Sequence, residues 1–269
     1  DLQPHPPNEI APLGTLAGQA SVFHALVWGT RSALVFGVLV AVCTAFIGSL
    51  VGAVSAYFGG FLNKSLMGIT DGFLSFPIIA GVVLIQQLIT TTLYNAGVRF
   101  SPGISGRVTP YFFFPEGVSQ LIDLMNKIDP ILIAFILFSW MPYARIMNTI
   151  VHRVKQEPYI EASRAQGAGH SRLIFKHLIP NSISPIIVLA ARDVGWMVLL
   201  QSTFSFIGMG DSSPWGILLA RGRDWIITGG GMLTYWWVFL PATIALVLFG
   251  IGWNLLGDGL NDAINPRTR

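Results

Sequence analysis

Glu161, Arg164 and Gly167 sit in the longest polar block of the chain, within the run Glu157-Pro-Tyr-Ile-Glu-Ala-Ser-Arg-Ala-Gln-Gly-Ala-Gly-His-Ser-Arg-Leu-Ile-Phe-Lys-His-Leu-Ile-Pro-Asn181. Their types and spacing suit contact chemistry rather than bond-making chemistry. Pro158 fits the first turn of a helix, and Gly167 and Gly169 fit a helix end with positive φ. A second helix follows, which Pro180 is expected to stop. On the first helix Ala162, Ser163 and Ala165 are small enough to let another surface approach, and Glu161 and Arg164 offer directional polar contacts. A rigid helix–turn–helix knob of this kind can transmit a partner's movement as a rigid body. On these residues alone, an ordinary loop with a glycine turn is an equal reading.

Two more polar pairs lie inside apolar runs. Gln86 and Gln87 must face other helices or a cavity, because amides in hydrocarbon lack partners. They either line a path or join helices. Arg192 and Asp193 interrupt another run, where a charge must find water or a counter-charge. Consecutive residues point about 100° apart on a helix, so the two are poorly placed to pair with each other. Arg192 therefore either pairs with another helix or subunit, or faces a path where its guanidinium attracts a carboxylate. No catalytic constellation accompanies these groups. The chain has no nucleotide-binding glycine–lysine loop, no Gly-x-Ser-x-Gly and no His-Glu-x-x-His. The five histidines have no metal-ligand spacing, and the lone Cys43 lies in an apolar run. No catalytic residue, metal or cofactor is expected in this chain, and any energy source must be a partner or a gradient.

The elements that position these groups are membrane spans. Hydrophobic residues make up 52% of the 269 and charged residues 11%, against about 25% charged in soluble proteins. The apolar residues gather into five runs, at about 33–58, 72–92, 130–151, 183–206 and 237–256, each long enough for the ~30 Å hydrocarbon core. The net charge of +3 comes from residues bracketing these runs, which points to orientation by the positive-inside rule and not to nucleic acid. The basic stretch 152–181 is thereby expected in the cytoplasm with the polar tail 258–269, and residues 1–30 and 93–129 outside. Val118, Leu121, Ile122, Met125 and Ile128 recur at helical spacing, which predicts an amphipathic helix over 117–128. Residues 208–235 read as a Gly- and Trp-rich interfacial connection.

The stretch around Glu161 closely resembles the EAA loop of binding-protein-dependent ABC importers, with Glu161, Ala162, Ser163, Gly167, Leu178, Ile179 and Pro180 on its pattern. Ser163 replaces a second alanine. Pro12-Leu-Gly-Thr15, Tyr57-Phe-Gly-Gly60, Asp71 with Ser75-Phe-Pro77, Phe204-Ser-Phe-Ile-Gly-Met-Gly210, Trp215-Gly216 and Asn254-Leu-Leu-Gly-Asp-Gly-Leu260 are similar to the dipeptide/oligopeptide/nickel permeases of the second permease subunit type. The resemblance implies an all-α type I importer transmembrane domain over 31–269, following an external N-terminal segment, 1–30. Five helices are visible, and a sixth is expected upstream of Asp1. It implies a second permease subunit, two cytoplasmic ATPases, an extracytoplasmic solute-binding protein and surrounding membrane lipid as partners. It gives Glu161, Ala162, Ser163, Arg164, Gly167 and Pro180 the ATPase-coupling role, leaving Gln86, Gln87, Arg192 and Asp193 as path candidates. The chain departs from the family at Leu16, where an acidic residue is usual, at Gly18-Gln-Ala20, and in the long external stretch 93–129. These departures keep open a second reading, a permease fold recruited as a non-transporting structural subunit. An ion-coupled carrier would show inverted repeats, and an intramembrane enzyme paired catalytic residues in facing spans; neither is visible.

Overall fold

A computed structural model describes residues 3–18, 20–95, 130–209, 213–228 and 234–264, with the backbone alone at 93–95. Among them the structure is helical, apart from one isolated bridge between Thr15 and Ser21. The helices are α1 (Val22–Phe58), α2 (Gly60–Leu74), α3 (Ile78–Asn95), α4 (Pro130–Ser139), α5 (Met141–Val154), α6 (Pro158–Ala165), α7 (residues 170–182), α8 (Ser184–Phe206), α9 (Pro214–Thr228) and α10 (Trp236–Ile264). The middle of α7, Leu173–Leu178, is π-helical.

Four stretches are long and apolar enough to cross a membrane: Val22–Phe58, Pro130–Val154, Ser184–Phe206 and Trp236–Ile264. A fifth crossing exists only if Gly60–Leu74 and Ile78–Thr92 count together, and they are bent by 96°. The bend has a local cause. Pro77 has no N–H and would clash with the carbonyl four residues back, so α2 cannot run through it. Its own carbonyl accepts the first bond of α3 from Gly81 N, at 3.0 Å. Phe138 fills the bend, with ring centroids 5.7 Å from Phe73 and 6.0 Å from Phe76.

Several boundaries differ from the sequence expectation. The first span begins at Val22, eleven residues before Ala33, because Ser21 caps it: Ser21 Oγ accepts from His24 N. Arg31 thus lies within the helix rather than at its end, since a charge marks where apolarity stops and not where backbone bonding stops. The second span, expected as 72–92, divides at the Pro77 bend. The Gly- and Trp-rich connection contains a full helix, α9, whose cap is Ser213: its Oγ accepts from Gly216 N at 3.1 Å. The last helix runs past Leu256 to Ile264. Gly257 does not end it but makes room, as a Cβ there would lie 2.6 Å from Arg192 Cγ. The amphipathic helix expected at 117–128 and nearly all of the external stretch 93–129 lie outside the described residues.

The chain forms two compact units. One comprises Asp1–Val38, Val83–Ile133 and Val194–Gly252. Leu16, Val22, Leu218, Trp237, Val238 and Ala242 form one of its cores, and Trp215 packs with Ala33, Val198 and Leu246 in another. Arg223 closes the end of α8 by donating to the Phe206 carbonyl at 3.1 Å.

The other unit comprises Leu39–Val82, Ala134–Asp193 and Trp253–Arg269. Here α1 and α5 touch backbone to backbone. A Cβ at Gly48 would lie 2.4 Å from the Trp140 carbonyl, and one at Gly52 2.3 Å from that of Ala144. With Ala56 fully buried, the Gly48, Gly52, Ala56 spacing of four is a small-residue stripe of the kind that brings membrane helices together. Asn148 locks this contact. Its amide donates to Ser55 Oγ and to Asn63 Oδ1, each at 2.7 Å, joining α1, α2 and α5.

Candidate coupling site

The knob read from the sequence is real local structure. Pro158 stands in the first turn of α6 after Glu157 in extended conformation, so its missing N–H falls where no intrahelical bond is made. The helix ends in a Schellman arrangement: Gly167 N donates to the Arg164 carbonyl at 2.9 Å and Ala168 N to that of Ser163 at 3.1 Å. Gly167 carries φ 82°, and nothing lies within 4 Å of where its Cβ would be. Only the backbone angle, not space, calls for glycine there. Gly169 does not share the role, since its φ of −69° is open to any residue.

One side chain roots α6. Ile160 is fully buried in the core with Tyr143, Met147, Val151, Leu173 and Leu178, and Ala168 packs at the same core. Glu161, Ala162, Arg164, Ala165 and Gln166 are exposed. Ser163 is half-buried and returns its hydroxyl to the Tyr159 carbonyl at 2.8 Å. Partial burial and the neighbouring Glu157 carboxylate push the Tyr159 phenol up. The result is a short, free-standing helix that presents an acid, a base and small residues on a rigid base.

The base is tied to the end of α1 by groups that the sequence reading passed over. Tyr57 Oη lies 2.7 Å from His170 Nδ1, and the rings of Tyr57 and Phe58 both pack on the His170 imidazole. Lys155 Nζ donates to the Ala56 carbonyl at 2.7 Å, satisfying one of the last acceptors of α1. Pro180 does not stop the second helix as expected. It sits in the first turn of Ile179–Ser182, and α7 continues through it because the preceding π-helical turn has already shifted the bonding register. Of the proposed coupling residues, Glu161 through Gly167 thus share one helix and its cap, while Pro180 belongs to the next helix.

The path candidates divide differently. Gln86 belongs to the first unit, where its Nε2 donates to the Met209 carbonyl at 3.4 Å and its Oε1 is buried without a partner among the described residues. Gln87 is exposed. Arg192 and Asp193 belong to the second unit and part company as expected. Arg192 pairs with Asp258 of α10, while Asp193 accepts from Tyr143 Oη at 2.7 Å. Arg192 lies near the middle of α8, which runs over the 23 residues Ser184–Phe206, and its counter-charge comes from another helix. A second ion pair, Arg145 with Asp71 at 3.0 Å, joins α5 to α2. Among the described residues no group of histidine, cysteine or carboxylate side chains could hold a metal ion.

Comparison with known proteins agrees in fold and in family. Residues 33–269 match the family described as binding-protein-dependent transport system inner membrane component. The chain is 28% identical over 266 residues to the probable D,D-dipeptide transport system permease protein DdpC of Escherichia coli K12, covering 98% of this chain and 76% of that protein. It is 30% identical over 268 residues to the oligopeptide transport system permease protein OppC of Mycobacterium tuberculosis H37Rv, covering 98% and 78%. A chain of the MetNI methionine ABC transporter in an inward-facing conformation superposes with a TM-score of 0.60 at 18% identity, covering 90% of this chain and 97% of that one. Likeness at that identity speaks for the fold, a type I importer transmembrane domain.

Proposed function

Because the chain belongs to the family of binding-protein-dependent transport system inner membrane components, we propose that it is the permease subunit of a peptide importer, driven by ATPases that dock on α6. The carrying observation is the α6 knob: a helix rooted by one buried residue, Ile160, with its charged and small faces left open. Such a helix has little to do within its own chain, and its shape suits a groove in a partner. The peptide assignment is supported by the names of the relatives, a dipeptide and an oligopeptide permease.

In this reading residues 152–181 face the cytoplasm, by the basic excess of that stretch. A second permease completes the pathway, two cytoplasmic ATPases hydrolyse ATP, and an extracytoplasmic binding protein delivers the peptide. This chain performs no chemistry. It changes shape when the ATPases move α6, and Tyr57–His170 and Lys155–Ala56 pass that motion to the end of α1. Arg192 acts as a structural partner of Asp258 and not as a peptide-carboxylate site, since its charge is already answered. None of the relatives described above favours a non-transporting structural subunit.

The test is ATP-dependent uptake of a labelled peptide by the assembled complex in vesicles. Uptake that needs this chain, the ATPases and the binding protein supports the reading. A complex that assembles without any ATPase removes it.

A further inference from the structure

The unit built from Leu39–Val82, Ala134–Asp193 and Trp253–Arg269 carries an open groove of about 410 Å³ between the second half of α1, α7 and the start of α8. Val42, Phe46 and Ser49 line it from α1, Phe175 and Ile179 from α7, and Ile187 from α8. Ser49 is the only polar side chain among the lining residues, and its hydroxyl is buried without a partner among the described residues. A peptide or other polar solute would find nothing there to replace its water. Val42, Phe46 and Phe175 are 58, 64 and 59% exposed, so the apolar walls stand open to whatever surrounds the helices.

The charge on α7 beside the groove points to the occupant. Arg172 and Lys176 lie on α7 within three positions of the lining residues Phe175 and Ile179. Both are exposed, and neither takes part in an ion pair among the described residues. Two cations on the helix that walls a groove lined by apolar side chains and one serine match a molecule with an anionic head and a hydrocarbon tail. The cytoplasmic leaflet supplies such molecules, and its negative surface attracts basic juxtamembrane residues. We propose that this groove holds an acyl chain of an anionic phospholipid whose phosphate lies against Arg172 and Lys176. The lipid fills the space between α1 and α7, beside the Tyr57–His170 and Lys155–Ala56 ties, and so stiffens the base of the coupling knob. The proposal rests on the cytoplasmic assignment of residues 152–181 and is independent of the transported solute.

The experiment uses the assembled complex with a photo-crosslinking amino acid in place of exposed Phe46. Nanodiscs of phosphatidylcholine alone are compared with nanodiscs that also contain phosphatidylglycerol, and the adducts on α1 are identified by mass spectrometry. The expected result is a lipid adduct enriched in phosphatidylglycerol beyond its share of the bilayer, with the enrichment lost in Arg172→Gln/Lys176→Gln. A crosslink to a polypeptide, whether another subunit or a segment preceding Asp1, overturns the proposal. So does an adduct whose composition follows the bulk lipid with both cations present. Labelling of a cysteine at Ser171 by an impermeant reagent reports the orientation separately, so a failure of sidedness is distinguished from a failure of the lipid site.

Discussion

The Tyr57 hydroxyl and His170 Nδ1 lie 2.7 Å apart although 113 residues separate them in sequence. The contact joins the last turn of α1 to the first turn of α7, which lies within the basic stretch 152–181. The bond is exposed although the Tyr57 ring is partly buried, so it contributes at or below the usual net ~0.5–1.5 kcal/mol. Its importance is geometric. In Tyr57→Phe the ring contact with His170 remains and the hydrogen bond is lost. Thermal stability is expected to change little, while amide exchange over residues 170–178 rises and peptide uptake per ATP falls. Unchanged exchange would mean that the bond does not hold α7.

Asn148 is expected to matter more to stability than any exposed ion pair. Its amide donates to both Ser55 and Asn63, and Asn148→Ala removes two bonds worth about 0.5–1.5 kcal/mol each, net. Denaturation of the purified protein in detergent measures it. Asn148→Ala/Ser55→Ala should lose less than the sum of the two single changes, because residues of one network couple. Additive losses would show that the network is not a unit.

Gly52→Ala should be poorly tolerated and Gly68→Ala harmless. The first puts a methyl group 2.3 Å from the Ala144 carbonyl of a packed helix, and the second meets nothing within 4 Å. Forcing α1 and α5 apart costs typically ~1–3 kcal/mol. At Gly68, inside α2, alanine is favoured by roughly 0.5–1 kcal/mol. Expression and melting temperature of the two variants check the difference, and equal behaviour would contradict the α1–α5 contact.

Much of this was legible in the sequence. The runs of apolar residues marked the spans, because backbone groups in hydrocarbon must be satisfied within helices. Pro158 and Gly167 marked the start and cap of α6, because each imposes a backbone angle. What escaped depended on distance in sequence: nothing in Tyr57 pointed to His170, or in Asn148 to Ser55 and Asn63. The Gly48, Gly52, Ala56 stripe was readable and passed over, since its regular spacing lies inside a run already explained by hydropathy. Helix α9 was hidden by its glycines and tryptophans, whose interfacial chemistry outweighed the cap at Ser213. Charge misled at Arg31, which was taken to end a span it lies within. Arg192 was read near mid-span, where it is, but its partner, Asp258, was hidden in the stretch read as a polar tail.

Arg192→Glu should impair assembly or stability, and Arg192→Glu/Asp258→Lys should recover most of the loss, because the pair joins α8 to α10. Uptake by the Arg192→Ala variant should fall equally for peptides with free and with amidated C-termini. Selective loss for the free carboxylate would place Arg192 on the path instead.

Helix α6 is proposed to couple the permease to its ATPases, and peptide-stimulated ATP hydrolysis in the reconstituted complex reports that coupling. Glu161 is exposed, so Glu161→Lys reverses a contact without touching the core. Gly167→Pro cannot hold φ 82° and removes the N–H that closes the cap. In both variants the complex is expected to assemble while stimulation by peptide falls about 5- to 150-fold, the span of a coupling energy of ~1–3 kcal/mol. Wild-type stimulation in both variants would contradict the account.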